Sequence, residues 1–172
     1  MWGKTNPLFA VASWENRNRE GTSPWTEDEF FQLGKSDWQD FVLRWERYGI
    51  DARACAEIGC GAGRLTKPMS AYFGKMDALD VSEGMLDYAR KHVTTAQFHL
   101  VDGNTIPLPD RSVTAVFSAH VFQHFDSLDD ATGYFNEIHR VLVTGGTMMI
   151  HLPIYWWPLG MGKLVWCPRN NW

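Results

Sequence analysis

The sequence predicts an α/β fold, a mainly parallel sheet doubly wound by helices on both faces, and three observations predict it. Short apolar runs alternate with helical patterns across residues 51–153, the pattern of strands joined by crossover helices. The first of these runs ends in a glycine-rich turn, Glu57-Ile58-Gly59-Cys60-Gly61-Ala62-Gly63-Arg64, that feeds a helix. The 172 residues, 45% hydrophobic and 21% charged, suit one domain with one sizeable core.

Each element has its own signal. A helix is predicted from Thr26, with Thr26 or Ser23 as cap, Glu27, Asp28 and Glu29 in its first turn, and a break at Gly34. A second helix is predicted over 36–48, burying Trp38, Phe41, Val42 and Trp45 at helical spacing. There follow a strand in ARACAEIG and a helix from Arg64, a strand in KMDALDV and a helix from Glu83, and a strand in QFHLVDG. A strand in SVTAVFSA, a helix from about Leu128 and a last strand in TGGTMMIHLP complete the series. The expected organisation is a helical cap over 1–50, a core over 51–153 and an aromatic-rich tail over 154–172. All nine tryptophans lie at positions 2–45 or 156–172. These flanks either pack on the scaffold or form an aromatic lid or acceptor pocket.

Composition excludes several classes of function. The net charge is −4 and no Lys/Arg run supplies a local positive field, which argues against a nucleic-acid partner. Cys55, Cys60 and Cys167 are odd in number and lack metal-ligand spacing, so reduced thiols in a cytoplasmic protein are expected. The N-terminus lacks a signal-peptide pattern and no apolar run is long enough to span a bilayer, so a soluble protein without a membrane partner is expected.

The chemistry concentrates at the predicted strand ends, where ligands of open α/β sheets bind. In the glycine-rich turn, Arg64 occupies the place where a dinucleotide fingerprint needs a small residue, which disfavours a nicotinamide-dependent oxidoreductase. Glu57 would repel a pyrophosphate and suits a positively charged ligand. Asp80, twenty-one residues after Gly59, can accept hydrogen bonds from both hydroxyls of a ribose. Ser82-Glu83-Gly84-Met85 then opens a helix, and Met85 is either core or a wall for an adenine ring. In Val101-Asp102-Gly103-Asn104, Asp102 either accepts from an adenine amine or caps a turn.

Together with Phe117-Ser118-Ala119-His120 and Arg140-Val141-Leu142-Val143-Thr144-Gly145-Gly146-Thr147, these segments resemble the ordered motifs of class I S-adenosylmethionine-dependent methyltransferases. The pattern Glu-x-Gly-x-Gly-x-Gly is similar to that family's first motif, and Thr144 stands where the family usually has proline. The resemblance implies a Rossmann-like sheet of strand order 3-2-1-4-5 with S-adenosylmethionine as cofactor and S-adenosylhomocysteine as product. It further implies that Glu57, Gly59, Cys60, Gly61, Gly63, Arg64, Asp80, Val81, Ser82, Met85, Asp102, Gly103, Asn104, Ser118, Ala119 and His120 line the cofactor. Glu29 to Gly34 resembles the N-terminal helix of a bacterial and archaeal subgroup in which aromatic residues cover the cofactor.

The activity implied is methyl transfer to a small-molecule acceptor by in-line displacement. The alternative is a non-catalytic cofactor-binding or scaffold module. His120, His124 and His151 lie at or beyond predicted strand ends, and His120 or His124 is the candidate base. His120 and His124 are spaced i,i+4, but no third ligand accompanies them and no metal is expected. After strand five, PIYWWPLGMGKLVWCPRNNW is too short for the family's sixth and seventh strands. The exposed edge of strand five, or the aromatic tail, is the expected surface of a homodimer.

Overall fold

The computed structural model describes residues 5–125 and 127–151; the predicted tail, with Cys167 and its four tryptophans, lies outside the described residues. Five strands, β1 (Ala54–Ile58), β2 (Lys75–Asp80), β3 (Gln97–Leu100), β4 (Val113–Ser118) and β5 (Leu142–Ile150), form one parallel sheet in the order β3-β2-β1-β4-β5. The order reverses beside β1, which pairs with β2 on one side and β4 on the other. That reversal places the loops after β1 and β4 at the crevice where ligands of such sheets bind.

The helices are α1 (Pro7–Val11), α2 (Glu27–Trp45), α3 (Thr66–Tyr72), α4 (Glu83–His92) and α5 (Leu128–Val141). Every residue of β4 is buried, as both faces of a central parallel strand require. On one face Ala56, Ile58, Val113 and Val116 pack against Tyr134, Ile138 and Val141 of α5. On the other, Cys55, Met76, Ala115 and Phe117 meet Trp38 and Trp45 of α2 with Met69 of α3. A side chain the size of Trp45, wholly buried, contributes on the order of 3 kcal/mol through apolar burial. Its indole Nε1 also donates to Thr147 Oγ1 at 3.0 Å, fixing the end of α2 to β5.

Two predicted helices are one. The chain runs helical without interruption from Glu27 to Trp45, started by a capping box in which Thr26 and Glu29 satisfy each other's backbone N–H groups. Gly34 lies inside this helix and does not break it. A β-carbon at Gly34 would lie 2.0 Å from the Arg64 carbonyl oxygen, so the glycine lets α2 press against the glycine-rich turn. The predicted buried face holds, with Trp38 and Trp45 buried and Phe41 and Val42 packed beside them.

Other boundaries also move. The helix predicted from Arg64 begins at Thr66, because residues 61–65 form a tight turn first. The third strand stops at Leu100 and leaves residues 101–112 as a loop. Arg140 clamps that loop, donating to the Ile106 carbonyl at 2.8 Å and the Leu108 carbonyl at 2.9 Å, while Glu137 accepts from the Ile106 N–H at 2.9 Å. The turn expected before the fifth strand is absorbed into β5 as a register shift containing Gly145. Among the described residues, β5 pairs only with β4 and forms one edge of the sheet. No helix among them is long and apolar enough to cross a membrane.

Candidate active site

The site is built where β1, β2 and β4 end. Gly59 has φ +73°, and its missing β-carbon would lie 2.1 Å from Val121 Cγ2. Only glycine tolerates both conditions, the left-handed backbone and the close approach. The contact brings the segment after β4 directly against the glycine-rich turn.

Asp80, at the end of β2, joins the turn to the start of α4. Its Oδ2 accepts from the Gly61 N–H at 2.8 Å, and its Oδ1 accepts from the Ser82 N–H at 2.9 Å. Burial pushes the Asp80 carboxyl above its ordinary range, and these backbone N–H groups oppose that shift. Beside it Val81 is exposed. Met85 is buried in a cluster with Leu8 and Ala12 of the α1 segment, Phe30 of α2 and Ala62 of the turn. The N-terminal segment thus lies over the glycine-rich turn.

Glu57 is 3% exposed and points to the α2/α3 side of the sheet with Cys55. Its Oε2 accepts from Thr66 Oγ1 at 2.6 Å. Burial pushes its carboxyl up to about 7, against the opposing effects of Thr66 and Arg64. Arg64 itself is buried, with its guanidinium paired to Asp37 of α2. That pairing engages Arg64 with α2. Cys60 is a buried free thiol, its pKa raised first by burial.

Asp102 is exposed, and its Oδ1 accepts from the Asn104 N–H at 2.9 Å and the Thr105 N–H at 3.3 Å. It therefore caps the turn that Gly103, with φ +90°, allows. At the end of β4, Ser118 is buried and donates to the Ile58 carbonyl at 3.0 Å, and Ala119 packs beside the α2/α3 cluster. His120 follows with φ +61°, an uncommon conformation for a side-chain-bearing residue.

The i,i+4 spacing of His120 and His124 does not fall on a helix. His120 lies in the left-handed region, and His124 ends a single 3-10 turn over Phe122–His124. His120 is instead beside His151, with ring centroids 4.4 Å apart. Among the described residues no cluster of three or more His, Cys, Asp or Glu side chains could hold a metal ion.

The comparison with known proteins decides the family. The family model described as a methyltransferase domain matches residues 56–150. The chain belongs to this methyltransferase family. The malonyl-[acyl-carrier protein] O-methyltransferase of Yersinia pestis is 36% identical over 93 residues, covering 54% of this chain and 34% of that protein. The methyltransferase chain thus spans about a third of the length of such curated relatives. An Aquifex aeolicus SAM-dependent methyltransferase structure superposes with a TM-score of 0.53 at 22% identity, covering 69% of this chain and 68% of that one. Streptomyces venezuelae DesVI gives 0.65 at 20% identity over 80% of this chain and 61% of that one. Both likenesses establish the fold.

Sequence reasoning missed three contributors to this candidate site. Gly34 and Asp37 of α2 seat and pair Arg64, and Thr66 holds Glu57. His151 was noted as a strand-end histidine, without its partner. The alternating strand and helix pattern could signal that β4 and β5 end side by side, but nothing local signals the contact of their exit loops.

Proposed function

We propose that this domain binds S-adenosylmethionine across the ends of β1 and β2 and directs methyl transfer to a small-molecule acceptor held beyond β4. One observation carries the reading: the Asp80 carboxylate spans the glycine-rich turn and the start of α4 through Gly61 and Ser82. This sets an acid where a ribose can meet it, next to a turn whose backbone lies close to the β4 exit. The donor set fits the cofactor, because Glu57 and Asp80 supply negative charge for an α-ammonium and two hydroxyls, while Arg64 is engaged by Asp37.

In this reading Glu57 faces the charge of the methionine end, with Gly59, Cys60, Gly61, Gly63 and Arg64 supplying the backbone around it. Asp80 receives the ribose hydroxyls, and Val81, Ser82 and Met85 border the adenine. Asp102, Gly103 and Asn104 meet the adenine edge, and Ser118, Ala119 and His120 close over the methionine end. The bound cofactor supplies an electrophilic methyl group on a sulfonium. The protein holds the acceptor atom behind that group, and orientation of this kind can lower a barrier by ~7–11 kcal/mol. Likeness to the O-methyltransferase of Yersinia pestis supports oxygen as the accepting atom.

Competition calorimetry tests the reading. S-adenosylhomocysteine should bind the folded chain, and NAD in large excess should leave that binding unchanged. Displacement by NAD would assign the turn to a dinucleotide and overturn the proposal.

A further inference from the structure

His120 and His151 follow different strands, β4 and β5, and are separated by 31 positions in sequence. The His151 N–H donates to the Ser118 carbonyl at 2.8 Å, continuing the β4/β5 pairing one step past the sheet. That bond brings the two imidazoles to a centroid distance of 4.4 Å with planes inclined at 52°. Phe41 of α2 closes the far side, its ring 6.4 Å from His151 and 5.2 Å from Phe117. Among the described residues, His151 Nδ1 is buried without a hydrogen-bond partner. His120 pays for its left-handed backbone, a conformation that persists where surrounding structure holds it and that concentrates at functional sites.

We propose that His120 and His151 form one unit holding a single proton at the acceptor side of the site, His120 taking that proton from a hydroxyl-bearing acceptor and His151 positioning His120. The inference rests on the cofactor reading above and adds the group that deprotonates the acceptor. In the step, the acceptor O–H bond breaks, an N–H bond forms on a neutral His120 ring nitrogen, and the electron pair stays on the oxygen. The positive charge formed on His120 is later relieved by proton loss to water.

Contact between the rings disfavours charging both at once. The charged or titratable groups facing His120 are Arg64 of the glycine-rich turn, Asp37 of α2, His124 of the 3-10 turn and His151. Burial comes first, then His151 and Arg64, in holding the His120 imidazole below the usual histidine range, with Asp37 opposing them. A neutral ring near pH 7 is the state that can accept a proton.

Two measurements test this on the whole chain. Nuclear magnetic resonance titration of the imidazole protons, without cofactor, should show the His120 midpoint rising in His151→Gln. If His151→Gln does not fold, His151→Asn, smaller at the same position, reads the same His120 shift. A His120 midpoint unmoved by loss of His151 would overturn the unit.

Carbethoxylation by diethyl pyrocarbonate, followed by mass spectrometry, tests its location. Saturating S-adenosylhomocysteine should slow modification of His120 severalfold and leave His139, exposed on α5, unchanged. Binding of S-adenosylhomocysteine with no protection of His120 would overturn the assigned role. Failure of the chain to bind S-adenosylhomocysteine would instead overturn the cofactor reading and, with it, the proton transfer, while the His120 midpoint shift would still establish the pair.

Discussion

Gly34 and Arg64 meet so closely that any side chain at position 34 would strike the Arg64 backbone: a β-carbon there would lie 2.0 Å from its carbonyl oxygen and 2.9 Å from its Cγ. Because Arg64 closes the glycine-rich turn, α2 bears directly on the turn's shape. Gly34→Ala raises intrinsic helix propensity yet forces helix and turn apart. The expected net effect is destabilisation of about 1–3 kcal/mol. Chemical denaturation checks it; a stability gain would mean that the contact is readily relaxed.

Gly59 and Val121 give a second test, in which relief is possible. Gly59→Ala should destabilise through both the Val121 Cγ2 collision at 2.1 Å and the left-handed backbone at φ +73°. Adding Val121→Ala removes the colliding methyl and leaves the backbone cost of about 1–2 kcal/mol. The double variant should therefore be less destabilised than the two single effects summed, as a double-mutant cycle reads. Strict additivity would contradict this contact.

Glu57 makes stability fall with pH. Its carboxyl sits at about 7 in the folded protein, above the ordinary 4.5. The folded state therefore binds the proton more tightly, and this contribution is fully present below about pH 4.5 and lost as pH rises through about 7. The shift corresponds to roughly 3 kcal/mol. Glu57→Gln should remove this component and leave the variant more stable than the wild type at pH 8. Parallel pH profiles for the two proteins would contradict the assignment.

The same carboxyl predicts proton release on ligand binding. A cationic α-ammonium beside Glu57 favours its ionised form, so cofactor affinity should increase as pH rises from 6 towards 8. Calorimetry in buffers of different ionisation enthalpy should detect release of a fraction of a proton at pH 6.5. Release that persists unchanged in Glu57→Gln would assign the proton to another group.

Much of the fold was legible because parallel strands buried on both faces read as apolar runs, and helices between them read by their period. The strand order came from resemblance, and the registers agree with it. Gly34 was misread because a glycine in a helical run looks like a break when its only reason is tertiary, the carbonyl of a residue thirty positions away. Asp102 was read both ways from sequence, and the structure shows its turn-capping bonds. Arg140 was legible as a motif position, but its grip on Ile106 and Leu108 depends on a loop whose path the sequence does not encode locally. His120 and His124 were linked by an i,i+4 spacing that needs a helix, and the left-handed backbone at His120 prevents one.

The central claim is that Asp80 and the glycine-rich turn hold S-adenosylmethionine. Titration calorimetry of the wild type and Asp80→Ala with S-adenosylhomocysteine, both shown to be folded, tests it most directly. The expected result is micromolar binding by the wild type and a loss of roughly 30- to 150-fold in the variant, equivalent to about 2–3 kcal/mol for a charge-assisted bidentate contact. A folded wild type that does not bind, or a variant that binds equally well, would contradict the account.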